Sequence, residues 1–69
     1  MMYQRETIRE FFGSVIGYLD HYTNGDVEAV TFSGKKLGKY VKSYDVTNDF
    51  YGRTLYRGNM AAALLVLLK

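Results

Sequence analysis

Short alternating runs of apolar and polar residues fill most of this chain, and they follow a threefold repeat. The segments 10–18, 31–39 and 49–57 share the pattern [Glu/Thr/Asp]-Phe-x-Gly-x-x-[Ile/Leu]-[Gly/Tyr]. The aligned phenylalanines are 21 and then 18 positions apart. Self-similarity of this kind indicates repeated supersecondary units, each too small to bury its apolar side chains alone.

The repeat contains the residues of a hairpin turn. A polar residue followed three positions later by glycine is typical of a type I turn that ends in a left-handed residue. In hairpins this is the three-residue loop with a G1 bulge. We therefore predict that Gly13, Gly34 and Gly52 are turn glycines with positive φ, a conformation that is costly for other residues. Asn24-Gly25 predicts a further hairpin, and 42–48 a looser polar turn.

These signals predict a mainly β, single-domain fold (1–69) with an antiparallel meander of six short strands. The hairpin repeats cover about 7–26, 27–45 and 46–58. Strands are expected at 5–11, 14–21, 27–32, 35–42, 46–50 and 53–57. The repeated apolar positions are expected to form the core ladder: Phe11, Phe32, Phe50, Ile16, Leu37 and Leu55.

The N-terminal part of the chain also fits a helix over 4–20. Its apolar residues have the spacing of an amphipathic helical stripe: Ile8, Phe11, Phe12, Val15, Ile16 and Leu19. However, Gly13 and Gly17 would lie inside that helix, at about 1 kcal/mol each relative to alanine. The second repeat also has lysines where the stripe needs apolar residues. Strands are favoured, and the helix stays open as the alternative.

The C-terminal segment has a different pattern. Asn59 is a suitable N-cap for a helix over 60–68, and this helix would be apolar on all sides. A single-layer sheet covers only one side of it, so we predict a homo-oligomer, with a dimer favoured. The alternative is a frayed or strand-forming tail in a monomer. The predicted oligomer interface consists of Met60, Leu64, Leu65, Leu67 and Leu68.

Composition narrows the possible chemistry. The 69 residues include no Cys, no Pro, no Trp and one His, which excludes disulfides, thiolate metal sites and a multi-His centre within one chain. No cofactor, metal site or small-molecule substrate is inferred. The longest apolar run, 60–68, is about half of the roughly 20 residues that span a bilayer. With no signal-peptide pattern, a cytoplasmic protein without a membrane partner is expected.

The third repeat copy resembles a known type of sequence. Its residues Asn48-Asp49-Phe50-Tyr51-Gly52-Arg53-Thr54-Leu55 resemble the tandem D-F-x-G-R-x-[LI]-G hairpins of small bacterial proteins. They are more distantly similar to the tyrosine-aspartate (YD) repeats of Rhs-type shell proteins. The other two copies keep only the Phe, the Gly and the Ile or Leu. The resemblance implies repeated β-hairpins with a scaffold role, and it brings no catalytic residue.

No arrangement of residues in the sequence predicts catalysis. His21 is the sole imidazole and could act as a base oriented by Asp20 or Asp26, but a solvated loop histidine is the favoured interpretation. Turn carboxylates commonly accept local backbone hydrogen bonds. We therefore predict that the protein is not an enzyme.

The basic residues offer an alternative function. Lysines and arginines interleave with tyrosines on two predicted strands, and such a sheet face can stack bases and neutralise phosphates. The candidate anion or nucleic-acid face consists of Lys35, Lys36, Lys39, Arg53 and Arg57. The net charge of +2 is low for such binders, and strand lysines also prevent edge-to-edge aggregation. A structural or interaction module that assembles as a homo-oligomer is the leading hypothesis; weak nucleic-acid binding is the alternative, and saccharide binding by the tyrosines the second.

Overall fold

The structure, a computed structural model, describes residues 3–67, which form one antiparallel sheet and one helix. The elements are β1 (Tyr3–Arg9), β2 (Val15–Tyr22), β3 (Val27–Thr31), β4 (Lys36–Val41), β5 (Val46–Asp49), β6 (Thr54–Arg57) and α1 (Ala61–Leu67). The strands are ordered β1-β2-β3-β4-β5-β6 across the sheet. The predicted mainly β meander with a short C-terminal helix is confirmed.

The N-terminal segment forms two strands, so the helical alternative over 4–20 is wrong. Gly13 lies between the strands with a φ of 93°, which an α-helix cannot contain. The apparent helical stripe combines one residue of β1 (Ile8), two of the loop (Phe11 and Phe12) and three of β2 (Val15, Ile16 and Leu19). Ile8 and Ile16 pack against the core from these strands, whereas Phe11 and Phe12 lie in the loop.

The core lies on one face of the sheet, where α1 packs on β2, β3 and β4. It consists of Leu19, Val27, Ala29, Leu37 and Tyr40 from the sheet and Ala61, Leu64 and Leu65 from the helix. Two repeat glycines make room for the helix. A Cβ atom at Gly17 would lie 2.5 Å from Leu65 Cδ2, and one at Gly38 would lie 3.0 Å from Leu64 Cδ1. The helix can therefore approach the strand backbone directly.

Hydrogen bonds fix the connection between β6 and α1. The fully buried Thr47 hydroxyl donates to the Gly58 carbonyl (2.7 Å) and accepts from the Met60 N–H (2.8 Å). The Asn59 side chain accepts a hydrogen bond from the Ala61 N–H (3.2 Å), as its N-cap pattern predicts. Because an isolated helix of seven residues is unstable in water, these bonds and the core contacts hold α1 in place.

The buried side of α1 changes the predicted oligomer interface. Leu64 and Leu65 are fully buried against the chain's own sheet, so the prediction that they lie between subunits is wrong. Strands β2, β3 and β4 bury this side of α1, and the absence of side chains at Gly17 and Gly38 lets the helix pack closely on them. The sequence pattern predicted instead that a second chain would bury these residues. Met60 and Leu67 are exposed, whereas Leu68 lies outside the described residues. Within residues 3–67, no helix has the length and hydrophobicity needed to cross a bilayer.

Candidate functional site

Three hairpin loops of the same form lie at one end of the sheet, since every second turn of a meander falls at the same end. These aromatic loops are 10–14, 31–35 and 49–53. In each, the N–H of the glycine donates to the carbonyl of the first residue at 2.9 to 3.0 Å. The N–H of the first residue donates to the carbonyl of the fifth at 2.8 to 2.9 Å. The glycines have φ values of 93°, 98° and 86°, so the predicted turns are confirmed.

The second position of each loop carries an exposed aromatic side chain, and so does the third position of the first and last loops. The five tip residues are between 62% and 95% exposed: Phe11, Phe12, Phe32, Phe50 and Tyr51. The prediction that the aligned phenylalanines form a core ladder is therefore wrong. They follow the first turn residue directly, so they project beyond the end of the strands and cannot reach the helix-covered face.

The other positions of the predicted ladder divide between core and surface. Leu37 is buried in the core, and Ile16 packs against the core from outside. Leu55 is 41% exposed at the start of the edge strand β6, so its core assignment is also wrong. An edge strand has a neighbour on one side only, and α1 packs on β2 to β4.

The aromatic tips form compact pairs. The rings of Phe11 and Phe12 meet edge to face with centroids 5.3 Å apart. Phe50 and Tyr51 repeat this arrangement at 5.5 Å. Each pair is thus an apolar wedge that projects from the sheet, rather than a pair of rings lying flat on a strand surface.

A loop of the same form at the opposite end carries no aromatic tip. In this polar loop, 22–26, the Gly25 N–H donates to the Tyr22 carbonyl (3.0 Å) and the Tyr22 N–H to the Asp26 carbonyl (2.9 Å). Gly25 has a φ of 97°. The tip residues are Thr23 and Asn24, so the loop backbone itself does not require aromatic side chains.

Side chains hold two of the aromatic loops in shape. The Asp49 carboxylate accepts hydrogen bonds from the backbone N–H groups of Tyr51 and Arg53 (both 2.9 Å) and from Arg53 Nε (2.8 Å). Burial opposes ionisation of Asp49, yet these bonds together hold the pKa of its carboxyl below the ordinary value. In the middle loop, the Thr31 hydroxyl accepts a hydrogen bond from the Lys35 N–H (2.9 Å).

The excess positive charge of the chain lies beside the aromatic loops. The loops and their flanks hold four basic and two acidic residues: Arg9, Lys35, Lys36, Arg53, Glu10 and Asp49. The rest of the chain has five of each sign, so it is formally neutral. The aromatic end therefore combines apolar wedges with a basic surround.

A groove of about 600 Å³ lies between the second and third aromatic loops. Its apolar lining comes from Leu37, Phe50, Tyr51 and Leu55. The charged groups that line it are Lys35, Lys36, Asp49 and Arg53. Two other surface depressions among the described residues are smaller, at about 310 and 280 Å³.

The predicted anion face is divided between two places. Lys35 and Arg53 belong to the aromatic loops, whereas Lys39 lies on the sheet face opposite α1. Acidic side chains lie on that open face beside it, because Lys39 pairs with Glu28 and Glu28 with Asp20.

Further basic residues lie on the same open face. Lys36 Nζ lies 3.7 Å from Glu28 Oε1, and Arg57 pairs with Val46. Basic residues thus alternate with acidic ones there, which does not favour a polyphosphate ligand.

Partly buried polar contacts stabilise the open face. Arg5 donates to both carboxylate oxygens of Asp20 at 2.7 and 2.9 Å, and its guanidinium lies 4.6 Å from the ring centre of Tyr18. Burial and a hydrogen bond to Glu28 (2.9 Å) raise the pKa of the Tyr22 phenol to about 12. The hydrogen-bonding capacity of these groups is thus used within the open face.

The remaining candidates for chemistry give no site. His21 lies on strand β2, so the prediction of a loop histidine is wrong; its side chain is nevertheless exposed, and its Nε2 lies 2.8 Å from the exposed Glu6 Oε1. Among residues 3–67, no cluster of three or more His, Cys, Asp or Glu side chains could hold a metal ion.

Comparisons with known proteins give no further guide. No protein-family model matches the chain, and no curated protein or solved structure matches it. The resemblance to tandem hairpin repeats therefore stays a prediction.

Proposed function

We propose that this protein is a non-enzymatic interaction module that docks on anionic lipid surfaces through its three aromatic loops. One observation carries the proposal: the same loop backbone has exposed aromatic tips at the basic end of the sheet and a polar tip at the other end. The same loop conformation forms with an aromatic or a polar tip, so the turn does not require the aromatic side chains. Exposed apolar groups of this kind mark interaction surfaces.

The chemistry of the aromatic end suits a lipid interface. Aromatic side chains are enriched at the level of the lipid headgroups, and lysine and arginine are attracted to anionic lipids. Neighbouring aromatic loops are two strands apart, which is roughly 10 Å. A line of tips at this spacing can meet a flat surface together. Docking in this way needs no membrane-spanning segment. The proposal therefore departs from the prediction of a protein without a membrane partner, which considered only spanning segments and signal peptides.

Other partners fit this end less well. Bases and sugars stack on open ring faces, but the edge-to-face pairs at 11–12 and 50–51 present wedges. A second copy placed end to end would bring two basic surrounds together. Neutral saccharides would not use the excess positive charge. An anionic lipid surface uses both the aromatic tips and the charge.

Vesicle cosedimentation tests the proposal. We expect binding to phosphatidylcholine vesicles that contain the anionic lipid phosphatidylserine, and weaker binding at higher salt. The variant Phe50→Thr/Tyr51→Asn copies the polar loop and should lose most binding. The matched control Thr23→Ser/Asn24→Ser alters the polar loop without changing its charge and should bind as the parent does.

Two outcomes would contradict lipid docking. One is equal binding of parent and loop variant to the anionic vesicles. The other is binding of a polynucleotide at low salt that the loop variant abolishes while vesicles are not bound. The second result would restore the nucleic-acid alternative, now located at the loops rather than on the open sheet face.

Homo-oligomerisation is a second proposal, supported by the outer side of α1. Val66 and Leu67 are exposed there, Met60 lies exposed just before the helix, and α1 has no charged residue. A second copy packed on this side would bury them. Light scattering of the parent and of Val66→Lys/Leu67→Lys decides: a monomeric parent overturns this proposal, whereas an oligomer that the variant dissociates supports it.

A further inference from the structure

We infer that the groove between the second and third aromatic loops binds a single anionic amphiphile, a molecule with an aliphatic body and one carboxylate or phosphate group. This is a ligand site for one molecule, and it goes beyond docking on a lipid surface. It rests on the shape and charge of the groove rather than on the loop tips of the first hairpin.

The floor of the groove suits an aliphatic body. Leu37 and Leu55 line it, and Phe50 forms a further apolar part of the lining. The volume of about 600 Å³ lies in the range that small-molecule sites occupy. Leu55 is exposed although it belongs to the repeated apolar column, and a ligand in the groove would remove it from water.

The charged groups of the groove favour an anion. The carboxylate of Asp49 has both oxygens occupied by the N–H groups of Tyr51 and Arg53 and by Arg53 Nε. The terminal nitrogens of Arg53 make no hydrogen bond within residues 3–67. Lys35 has no ion pair among the described residues, and the Lys36 ammonium is 3.7 Å from Glu28, a long contact. The groove is thus lined by three basic groups and one carboxylate: Arg53 pairs with Asp49 and Lys36 lies near Glu28, while Lys35 has no ion pair among the described residues.

The side chains of the floor also exclude other ligand classes. Leu37, Leu55 and Phe50 have no hydrogen-bonding group, so they cannot read the edge of a nucleobase. A cationic amphiphile would meet Lys35 and Lys36 with like charge. A neutral alkane would leave these charges without a partner. An aliphatic chain with an anionic head group uses all of these features.

Calorimetric titration of the full chain tests the inference. The probes are dodecanoate, dodecyltrimethylammonium and adenosine monophosphate, with both amphiphiles held below their micelle concentrations. We expect saturable binding of one dodecanoate per chain and at least about tenfold weaker binding of the cationic probe. Adenosine monophosphate that binds as tightly as dodecanoate would overturn the inference, as would dodecanoate binding without saturation.

Two kinds of variant locate the site. Lys35→Gln/Lys36→Gln should weaken dodecanoate binding about tenfold, because it removes charge-assisted hydrogen bonds to the carboxylate of the probe. Lys42→Gln, a matched exposed lysine at the opposite end, should leave it unchanged. Leu55→Asp should abolish binding, with circular dichroism confirming the fold. Equal effects at Lys42 and at the groove lysines would overturn the site.

A further variant separates this inference from lipid docking. Phe11→Thr/Phe12→Asn changes the first aromatic loop, which does not line the groove. It should weaken vesicle binding but bind dodecanoate as the parent does. If dodecanoate binding falls with vesicle binding, the groove is not the site. If the parent binds dodecanoate but not vesicles, the docking proposal fails and the groove site stands.

Discussion

The loops 10–14 and 22–26 have the same backbone conformation, but the first has an aromatic tip and the second a polar one. Both close with the same two hydrogen bonds and both use a glycine with a φ near 95°. The polar loop satisfies itself locally, because Asn24 Oδ1 accepts a hydrogen bond from the Asp26 N–H (2.9 Å). Phe11 and Phe12 instead project into solvent. The comparison separates what the turn requires, which is the glycine, from what it merely permits.

The three aromatic loops share this combination of an ordered turn and an exposed apolar tip. All three loops at one end have aromatic tips, although only their glycines share a structural role. The first loop is further tied by Arg9 Nη1, which donates to the Gly13 carbonyl (2.8 Å). The loops at this end are thus ordered supports for exposed apolar groups. An ordered loop loses little conformational entropy when it binds.

The largest expected effect compares how much a buried and an exposed apolar side chain contribute to the free energy of unfolding. Leu64→Ala should destabilise the fold by about 2 to 5 kcal/mol, because it leaves a cavity above Gly38. Phe11→Ala should change the free energy of unfolding by no more than about 0.5 kcal/mol. Urea unfolding monitored by circular dichroism measures both. Similar losses for the two variants would mean that the loop tips pack in the core.

Much of the fold could be predicted from local patterns. The turn glycines Gly13, Gly34 and Gly52 mark the loops because positive φ restricts the residue type, and this restriction acts within the loop. Asn24-Gly25 marks a turn for the same reason, although its loop contains three residues rather than two. The strands follow from the spacing between these turns.

The position of the core could not be read from the same patterns. Hydrophobic residues recur at Phe11, Phe32 and Phe50, but recurrence alone does not distinguish a core column from a loop tip. The predicted turns do imply that these phenylalanines are loop tips, since a residue directly after the first turn position lies inside the loop. The close contact between Leu65 and Gly17 could not be predicted from local patterns either, because these residues are distant in sequence.

The next largest effect compares the glycines at the two ends. Gly52→Val and Gly25→Val should each destabilise the protein by about 1 to 3 kcal/mol, because valine is strained at positive φ. The cost at Gly25 should be the greater, since a Cβ there would lie 2.9 Å from Lys42 Cγ, whereas Gly52 has open space. Melting temperatures give the order. An unchanged melting temperature for Gly52→Val would refute the shared turn.

A smaller effect is expected when the tips are exchanged. Phe11→Thr/Phe12→Asn gives the first loop the tip of the polar loop, and Thr23→Phe/Asn24→Phe makes the reverse change. Each should alter the free energy of unfolding by less than about 1 kcal/mol, as surface substitutions do. The reverse change should cost more, because it removes the Asn24 hydrogen bond. Unfolding of either variant would show that tip and backbone depend on each other.

The smallest effect concerns the pH dependence of the third aromatic loop. Hydrogen bonds from Tyr51 and Arg53 lower the folded-state pKa of Asp49 below its ordinary value of 3.8. Asp49 therefore adds stability that is present above pH 3.8 and is lost as the pH falls through the folded-state pKa. Asp49→Asn should unfold with a weaker dependence on pH below 4 than the parent. Thr31→Val, which removes an uncharged hydroxyl with a similar role in the middle loop, should keep the parental dependence. Equal slopes for parent and Asp49→Asn would mean that the Asp49 hydrogen bonds do not hold the loop in solution.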